Sequence, residues 1–311
     1  MRYGEIPGVG RCSRLVLGTM AFSPEHMDQA ASLLDGFLAL GGNTLDTAHN
    51  YGGEWVGRSE KAVGRWLAER GVRDRVIIVD KGAHPDQHGP RVNPQAIASD
   101  LGESLERLGT DHIDLYLLHR DDPAVPVGVI MEALDGHVRA GRVRALGASN
   151  WTEQRIDEAN AYAAAHGLHP FVASSTNLSL ARAAEPRWPG CISLDAAGRA
   201  WHERRQFPLL SWSSQASGFF SGRFQPGAFP DAGLARVYDH PDNWERLRRA
   251  RELAAAKGVD ATKIAVAYVL HQPFPAFALI GPLTEEELRD SADVDGISLS
   301  AQERAWLNLE A

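Results

Sequence analysis

The chain has 311 residues, 44% of them hydrophobic and 23% charged, with a formal net charge of -8. That composition supplies a sizeable core and excludes a disordered chain, and the acidic balance weighs against nucleic-acid or anionic-membrane partners, which need clustered cations. Only Cys12 and Cys191 are present, without metal-ligand spacing. Residues 1–10 carry neither a basic start nor an apolar run, and no apolar stretch reaches membrane-spanning length, so a reducing, cytoplasmic setting is expected.

Along the chain, short β-branched or Leu-rich runs alternate with stretches whose apolar residues recur three and four apart, the pattern of repeated βα units. A strand at 14–17 precedes a helix at 31–40, a strand at 44–46 a helix at 60–68, and a strand at 76–80 a helix at 94–108. Pro94 suits a first helical turn, where its missing N–H costs nothing, and Gly109, Gly141, Gly167 and Gly258 fall where helices should stop. Strand 113–118 leads to helix 129–140, and strand 143–146 to helix 153–166. Strands at 171–173 and 208–212 follow, then a long Gly- and Pro-containing loop at 217–240, helices at 243–257 and 261–271, a strand at 277–280, and helices at 285–293 and 300–310.

Eight strands without a flexible linker favour one closed (β/α)8 TIM barrel spanning 1–311. An open doubly wound sheet would want a Gly-x-Gly-x-x-Gly turn after its first strand, and Leu17-Gly18-Thr19-Met20 is not one. A barrel can be complete as a monomer, and no heptad or exposed apolar stripe points to a partner, so the oligomeric state is left open by the sequence. The loop at 217–240, after the seventh strand, belongs to the active-site end of such a barrel.

Four ionisable residues stand at C-terminal ends of successive strands: Asp46 and, just beyond it, Tyr51 after the second, Lys81 after the third, and His119 after the fourth. In a barrel these ends converge on one mouth. Here the chain resembles the aldo-keto reductases, in Asp46-Thr47-Ala48-His49-Asn50-Tyr51-Gly52, Asp80-Lys81, Asp114-Leu115-Tyr116-Leu117-Leu118-His119 and Gly147-Ala148-Ser149-Asn150-Trp151. The resemblance implies a small-molecule aldehyde or ketone, or the matching alcohol, as substrate, with hydride exchanged with a nicotinamide cofactor. Reduction also needs a proton at the developing alkoxide, which the cofactor does not supply. Tyr51 is the expected donor, Lys81 the cation that lowers its pKa, and Asp46 the carboxylate that orients Lys81. By resemblance His119 donates a hydrogen bond to the carbonyl oxygen.

The resemblance also assigns cofactor contacts. Gly18, Thr19 and Met20 border the site after the first strand; Ser149 and Asn150 would bind the carboxamide, although they equally suit a helix cap before Glu153. Trp212 would stack on the nicotinamide, and Ser213, Gln215, Gly218, Ser221 and Arg223 would surround the pyrophosphate. Where the family has a Gln after the sixth strand, this chain reads Ala173-Ser174-Ser175-Thr176-Asn177, and Ser174 is the expected substitute. After the eighth strand, Gly281, Leu283, Glu287 and Ser291 occupy the site of the adenosine ribose, and cations usual in NADP(H)-dependent members are missing. NADP(H) is favoured on family grounds, with Arg289 or a residue of the long loop as phosphate ligand, and NAD(H) is the alternative.

His84 and His88 lie four apart in a Pro- and Gly-containing loop rather than on a helical face, so no metal site is expected and they read as rim residues, with His49, Trp55, Arg120, Phe219 and Phe220. Two rival readings stand beside the reductase: a nucleotide-binding regulatory protein of the same fold with little turnover, and a metal-dependent barrel hydrolase or lyase.

Overall fold

The computed structural model describes residues 1–52, 56–229 and 231–310. The chain opens with an antiparallel hairpin, Tyr3–Ile6 (β1) and Gly10–Ser13 (β2), in which Tyr3 faces Ser13 and Ile6 faces Gly10. Eight parallel strands follow: Leu15–Gly18 (β3), Thr44–Asp46 (β4), Ile77–Gly82 (β5), Ile113–Leu118 (β6), Val143–Ser149 (β7), Phe171–Ser175 (β8), Leu209–Ser211 (β9) and Ala276–Ile280 (β10). Each pairs with the next, and β10 pairs back to β3 with Ile280 beside Leu17, which closes the barrel.

Between and after the strands run Met27–Ala39 (α1), Arg58–Arg70 (α2), Pro94–Leu108 (α3), Val127–Arg139 (α4), Glu153–His166 (α5), Ala196–Arg205 (α6), Ala232–Tyr238 (α7), Pro241–Lys257 (α8), Ala261–Leu270 (α9), Glu285–Ala292 (α10) and Ala301–Leu307 (α11). No helix among the described residues is long and apolar enough to cross a membrane.

Because helices cover the outside and side chains fill the inside, strands are apolar on both faces. All six residues of β6 are buried: Leu115 and Leu117 join Val16, Val79, Ala145, Ala173, Leu210 and Phe277 inside the barrel, while Tyr116 and Leu118 pack with the helix layer. Local signals terminate the helices where the chain predicts. Asn93 accepts the Ala96 N–H at 2.9 Å with Pro94 as first residue of α3, and Gly109 ends it at φ +64, a conformation that strains any residue with a Cβ.

The structure adds elements that periodicity does not reveal. Ile6 and Cys12 of the hairpin pack onto the interior cluster from the end where the strands begin, Ser13 N–H meeting Asn43 Oδ1 at 2.7 Å just before β4. α6 is mostly polar, and Trp201 and His202 are the large side chains it buries, so it carries no apolar period. The segment read as one loop at 217–240 contains α7 and is anchored by its own aromatics: Phe219 lies 4.8 Å from Trp244, and Phe224 stacks on Phe229 at 4.7 Å. Phe219 and Phe220 are therefore core rather than rim.

Candidate active site

The strand ends carry the chemistry. Asp46 is the last residue of β4, Lys81 the fifth of β5 and His119 the first after β6, and in-register parallel pairing (Asp46 beside Val79, Lys81 beside Leu117) brings these ends together. Lys81 Nζ donates to Asp46 Oδ2 and to the Thr47 carbonyl, each at 2.8 Å, and to Tyr51 Oη at 3.2 Å, with Asp46 Oδ1 2.7 Å away. Tyr51 Oη lies 3.3 Å from Asp46 Oδ2, to which it can donate. The His119 ring meets that of Tyr51 edge-on at 5.9 Å and that of His84 at 4.9 Å.

Burial governs the protonation of this group. It pushes the Asp46 carboxyl up against the pull of Lys81. For Lys81 burial acts downward, but Asp46 and Tyr51 outweigh it and the ammonium is held above its ordinary value. With both carboxylate oxygens in contact with the ammonium, the pair is ionic. Burial also pushes the Tyr51 phenol up to about 12, against the opposing field of Lys81. Lys81 does act downward on the phenol, as expected, but desolvation outweighs it and the net direction is upward. His119 is held well below its ordinary value by burial, then by Lys81, His84 and Arg120, and its Nδ1 is buried without a hydrogen-bond partner. The cluster thus presents a protonated phenol, an ammonium and a neutral imidazole.

Around the mouth, Ser149 Oγ donates to the Ser175 carbonyl at 3.0 Å, and Asn150, at φ +58, donates to the His119 carbonyl at 3.3 Å. The cap of α5 is Thr152, which accepts the Arg155 N–H at 3.2 Å, so the capping alternative for Ser149 and Asn150 falls away. Trp212 packs against the barrel interior, and its Nε1 is buried without a partner.

The chain then runs through left-handed backbone at Ser213, Ala216, Ser217 and Gly218, which arranges successive amides in a tight turn. Arg223 Nη2 donates to the Ser217 carbonyl at 2.5 Å, and Ser221 Oγ to the Gly218 carbonyl at 2.8 Å. Gln215 Nε2 reaches Ser291 Oγ at 3.1 Å, joining this turn to α10. Gly281 and Leu283 are exposed at the start of that segment, where Glu287 accepts the Leu283 N–H at 2.7 Å. Arg289 is an exposed partner of Glu285 at 2.5 Å.

Other expected residues fall differently. Thr19 Oγ1 is buried between the Asp46 carbonyl (2.9 Å) and Ser59 Oγ (2.6 Å), while Met20 beside it is exposed. A Cβ on Gly18 would come within 3.2 Å of the Ile280 carbonyl. His49 is buried, its Nε2 3.1 Å from Glu103, and Trp55 lies outside the described residues.

Ser174 is a correction: its hydroxyl faces α6, 3.3 Å from His202 Nε2, because Ala173 points into the barrel and Ser174 therefore points out. Ser175 follows on the inner face with a buried, unpartnered hydroxyl. Period-two counting from Ala173 could have found it. The orphaned Ser175 Oγ and Trp212 Nε1, with the turn of left-handed residues beside them, fit a polar, aromatic, phosphate-bearing ligand.

The Aldo/keto reductase family model matches residues 14–308. The chain is 31% identical to the uncharacterized oxidoreductase YrpG of Bacillus subtilis, over 99% of this chain and 95% of that one. It is 29% identical to protein tas of Escherichia coli, over 100% and 97%. The norsolorinic acid reductase stcV of Emericella nidulans is 30% identical, over 94% of this chain and 76% of its own length. With a closed eight-stranded parallel barrel and a family match over nearly its whole length, the chain belongs to the aldo/keto reductase family and is an NAD(P)H-dependent oxidoreductase.

Proposed function

We propose that the protein reduces an aldehyde or ketone to the alcohol, with Tyr51 as proton donor. The observation that carries this reading is the contact of Lys81 Nζ with both Asp46 and the Tyr51 phenol oxygen, at 2.7 and 3.2 Å. Ser175, Asn150 and Trp212 would hold the nicotinamide, and residues 213–223 the pyrophosphate. When bound, the reduced nicotinamide supplies the hydride that the carbonyl carbon accepts.

Neutral His119 donates a hydrogen bond to the carbonyl oxygen through Nε2, which leaves its buried Nδ1 as the unprotonated nitrogen. As negative charge builds on that oxygen, the Tyr51 O–H bond breaks and its proton passes to the alkoxide. Lys81 stabilises the phenolate left behind, and Asp46 keeps Lys81 charged. Solvent then returns the proton to Tyr51.

For cofactor choice, the family expectation of NADP(H) meets an acidic first turn in α10, Glu285, Glu286 and Glu287. Arg289, the phosphate ligand that expectation needs, is engaged by Glu285. These carboxylates favour NADH, because they would repel a 2′-phosphate placed beside the first turn of α10.

The test is Tyr51→Phe. Reduction should slow by roughly 10²- to 10⁴-fold, with the dissociation constant for NADH unchanged in a titration of tryptophan fluorescence. Turnover like that of the unaltered enzyme would remove Tyr51 from the mechanism.

A further inference from the structure

Arg120 stands one residue beyond His119 and is 7% exposed. Its Nη1 donates to the His119 carbonyl at 2.8 Å and its Nε to the Pro189 carbonyl at 3.2 Å, both neutral acceptors. Among the described residues no carboxylate lies within ion-pair distance, and Nη2 has no protein acceptor. The acids next along the chain are engaged elsewhere, Asp121 with Arg155 at 3.4 Å and Asp122 with the Ala124 N–H at 3.1 Å. Some part-buried arginines around the barrel do have a carboxylate, Arg73 2.8 Å from Asp114 and Arg107 2.9 Å from Glu60. Arg14 and Arg246, like Arg120, donate to neutral acceptors, but away from the Tyr51 and His119 mouth.

A guanidinium withdrawn from water without a counter-charge is costly, and arginine does not escape the cost by losing its proton. Its location gives the cost a purpose. Arg120 lies close enough to His84 and His119 to act on the protonation of both, and the Tyr51 phenol acts in turn on Arg120. The turn that accepts its Nε is shaped around it: a Cβ on Gly190 would come within 3.2 Å of Arg120 Cδ. From the same turn Trp188 leans on Trp212 at 5.9 Å, which continues the wall of the mouth.

We infer that the carbonyl substrate carries a carboxylate and that Arg120 is the residue that selects it, the guanidinium binding the carboxylate while the carbonyl oxygen rests at Tyr51 and His119. This rests on the reductase reading above. Nη2 and the second N–H of Nη1 give the planar fork that a carboxylate accepts in a two-point contact. A neutral carbonyl compound would leave that charge buried and unmatched.

The experiment uses the whole protein with NADH and two matched pairs: 4-carboxybenzaldehyde against methyl 4-formylbenzoate, and succinic semialdehyde against butanal. In at least one pair the acid should exceed its neutral mate about 10- to 100-fold in kcat/KM, mainly through KM. Arg120→Gln should bring that ratio to about one, the larger loss falling on the acid substrate and in KM, with melting temperature and NADH affinity retained. Arg120→Lys, which keeps the charge and loses the fork, should raise KM for the acid alone, and it serves if the Gln variant does not fold. No preference for the acid in either pair would overturn the inference and leave the reductase reading intact. So would an equal loss on acid and neutral substrates in Arg120→Gln, which would mark Arg120 as a strap between two carbonyls. Failure of every pair to be reduced would bring down the reductase reading and this inference with it.

Discussion

Lys81 Nζ lies 3.2 Å from the Tyr51 phenol oxygen and 2.7 Å from the Asp46 carboxylate, so one buried cation holds the candidate proton donor and its own counter-charge together. Removing the cation has two separable effects. Lys81→Met should lower reduction by about 100-fold or more, because the phenolate loses its stabilising charge. It should also destabilise the fold by about 3–5 kcal/mol, because Asp46 is left uncompensated in the interior. Adding Asp46→Asn to Lys81→Met should restore much of the stability and none of the activity. Denaturant unfolding and steady-state rates on the three variants check this; recovery of activity in the double variant would contradict the role given to Lys81.

The direction of the His119 shift makes a pH prediction. An imidazole held well below its ordinary value of 6.5 stays neutral as pH falls through that value. Reduction should therefore show no acidic loss near pH 6.5. On the alkaline side a phenol pushed up to about 12 keeps its proton, so kcat/KM for reduction should be flat through the neutral range. Oxidation of the alcohol needs the phenolate and should rise steadily with pH. An acidic limb near pH 6.5 that disappears in His119→Asn would show the imidazole titrating in its ordinary range.

Adjacent serines of β8 offer a paired test. Ser175→Ala removes a buried hydroxyl that has no protein partner, so it should cost no stability while weakening NADH about fivefold or more, the value of one hydrogen bond. Ser174→Ala deletes the contact with His202 and should lower the melting temperature with NADH affinity unchanged. Thermal melts and fluorescence titrations of both variants decide the matter, and the opposite pattern would return the role to Ser174.

Cofactor preference should move with one exposed position. Leu283 is 54% exposed, so Leu283→Arg disturbs no core and adds a cation at the start of the acidic segment. The ratio of NADPH to NADH in kcat/KM should rise by about tenfold or more, the value of a charge-assisted hydrogen bond. Glu287→Arg is a poorer test because Glu287 also accepts the Leu283 N–H. An unchanged ratio in Leu283→Arg would mean that this loop does not meet the ribose.

Asp46, Tyr51, Lys81 and His119 were legible as a group because parallel strands carry their C-terminal ends to one rim, whatever the distances along the chain. The eight barrel strands were legible for a related reason: buried on both faces, they read as short apolar runs, as 113–118 does. Elements that do not carry such a pattern were not legible. α6 buries little besides Trp201 and His202, and β1 and β2 gain their place by covering the barrel floor with Ile6 and Cys12.

Sequence by itself thus determined the barrel, the order of its strands and the four residues gathered at its mouth, since each follows from local periodicity and from strand polarity. Only the tertiary structure decided which of two neighbouring serines faces inward, because a shift of one residue in a strand exchanges its faces. It also decided that Tyr51 is raised rather than lowered and that Arg120 is buried with no carboxylate beside it among the described residues. Desolvation depends on everything that packs around a group, and no spacing along the chain encodes it.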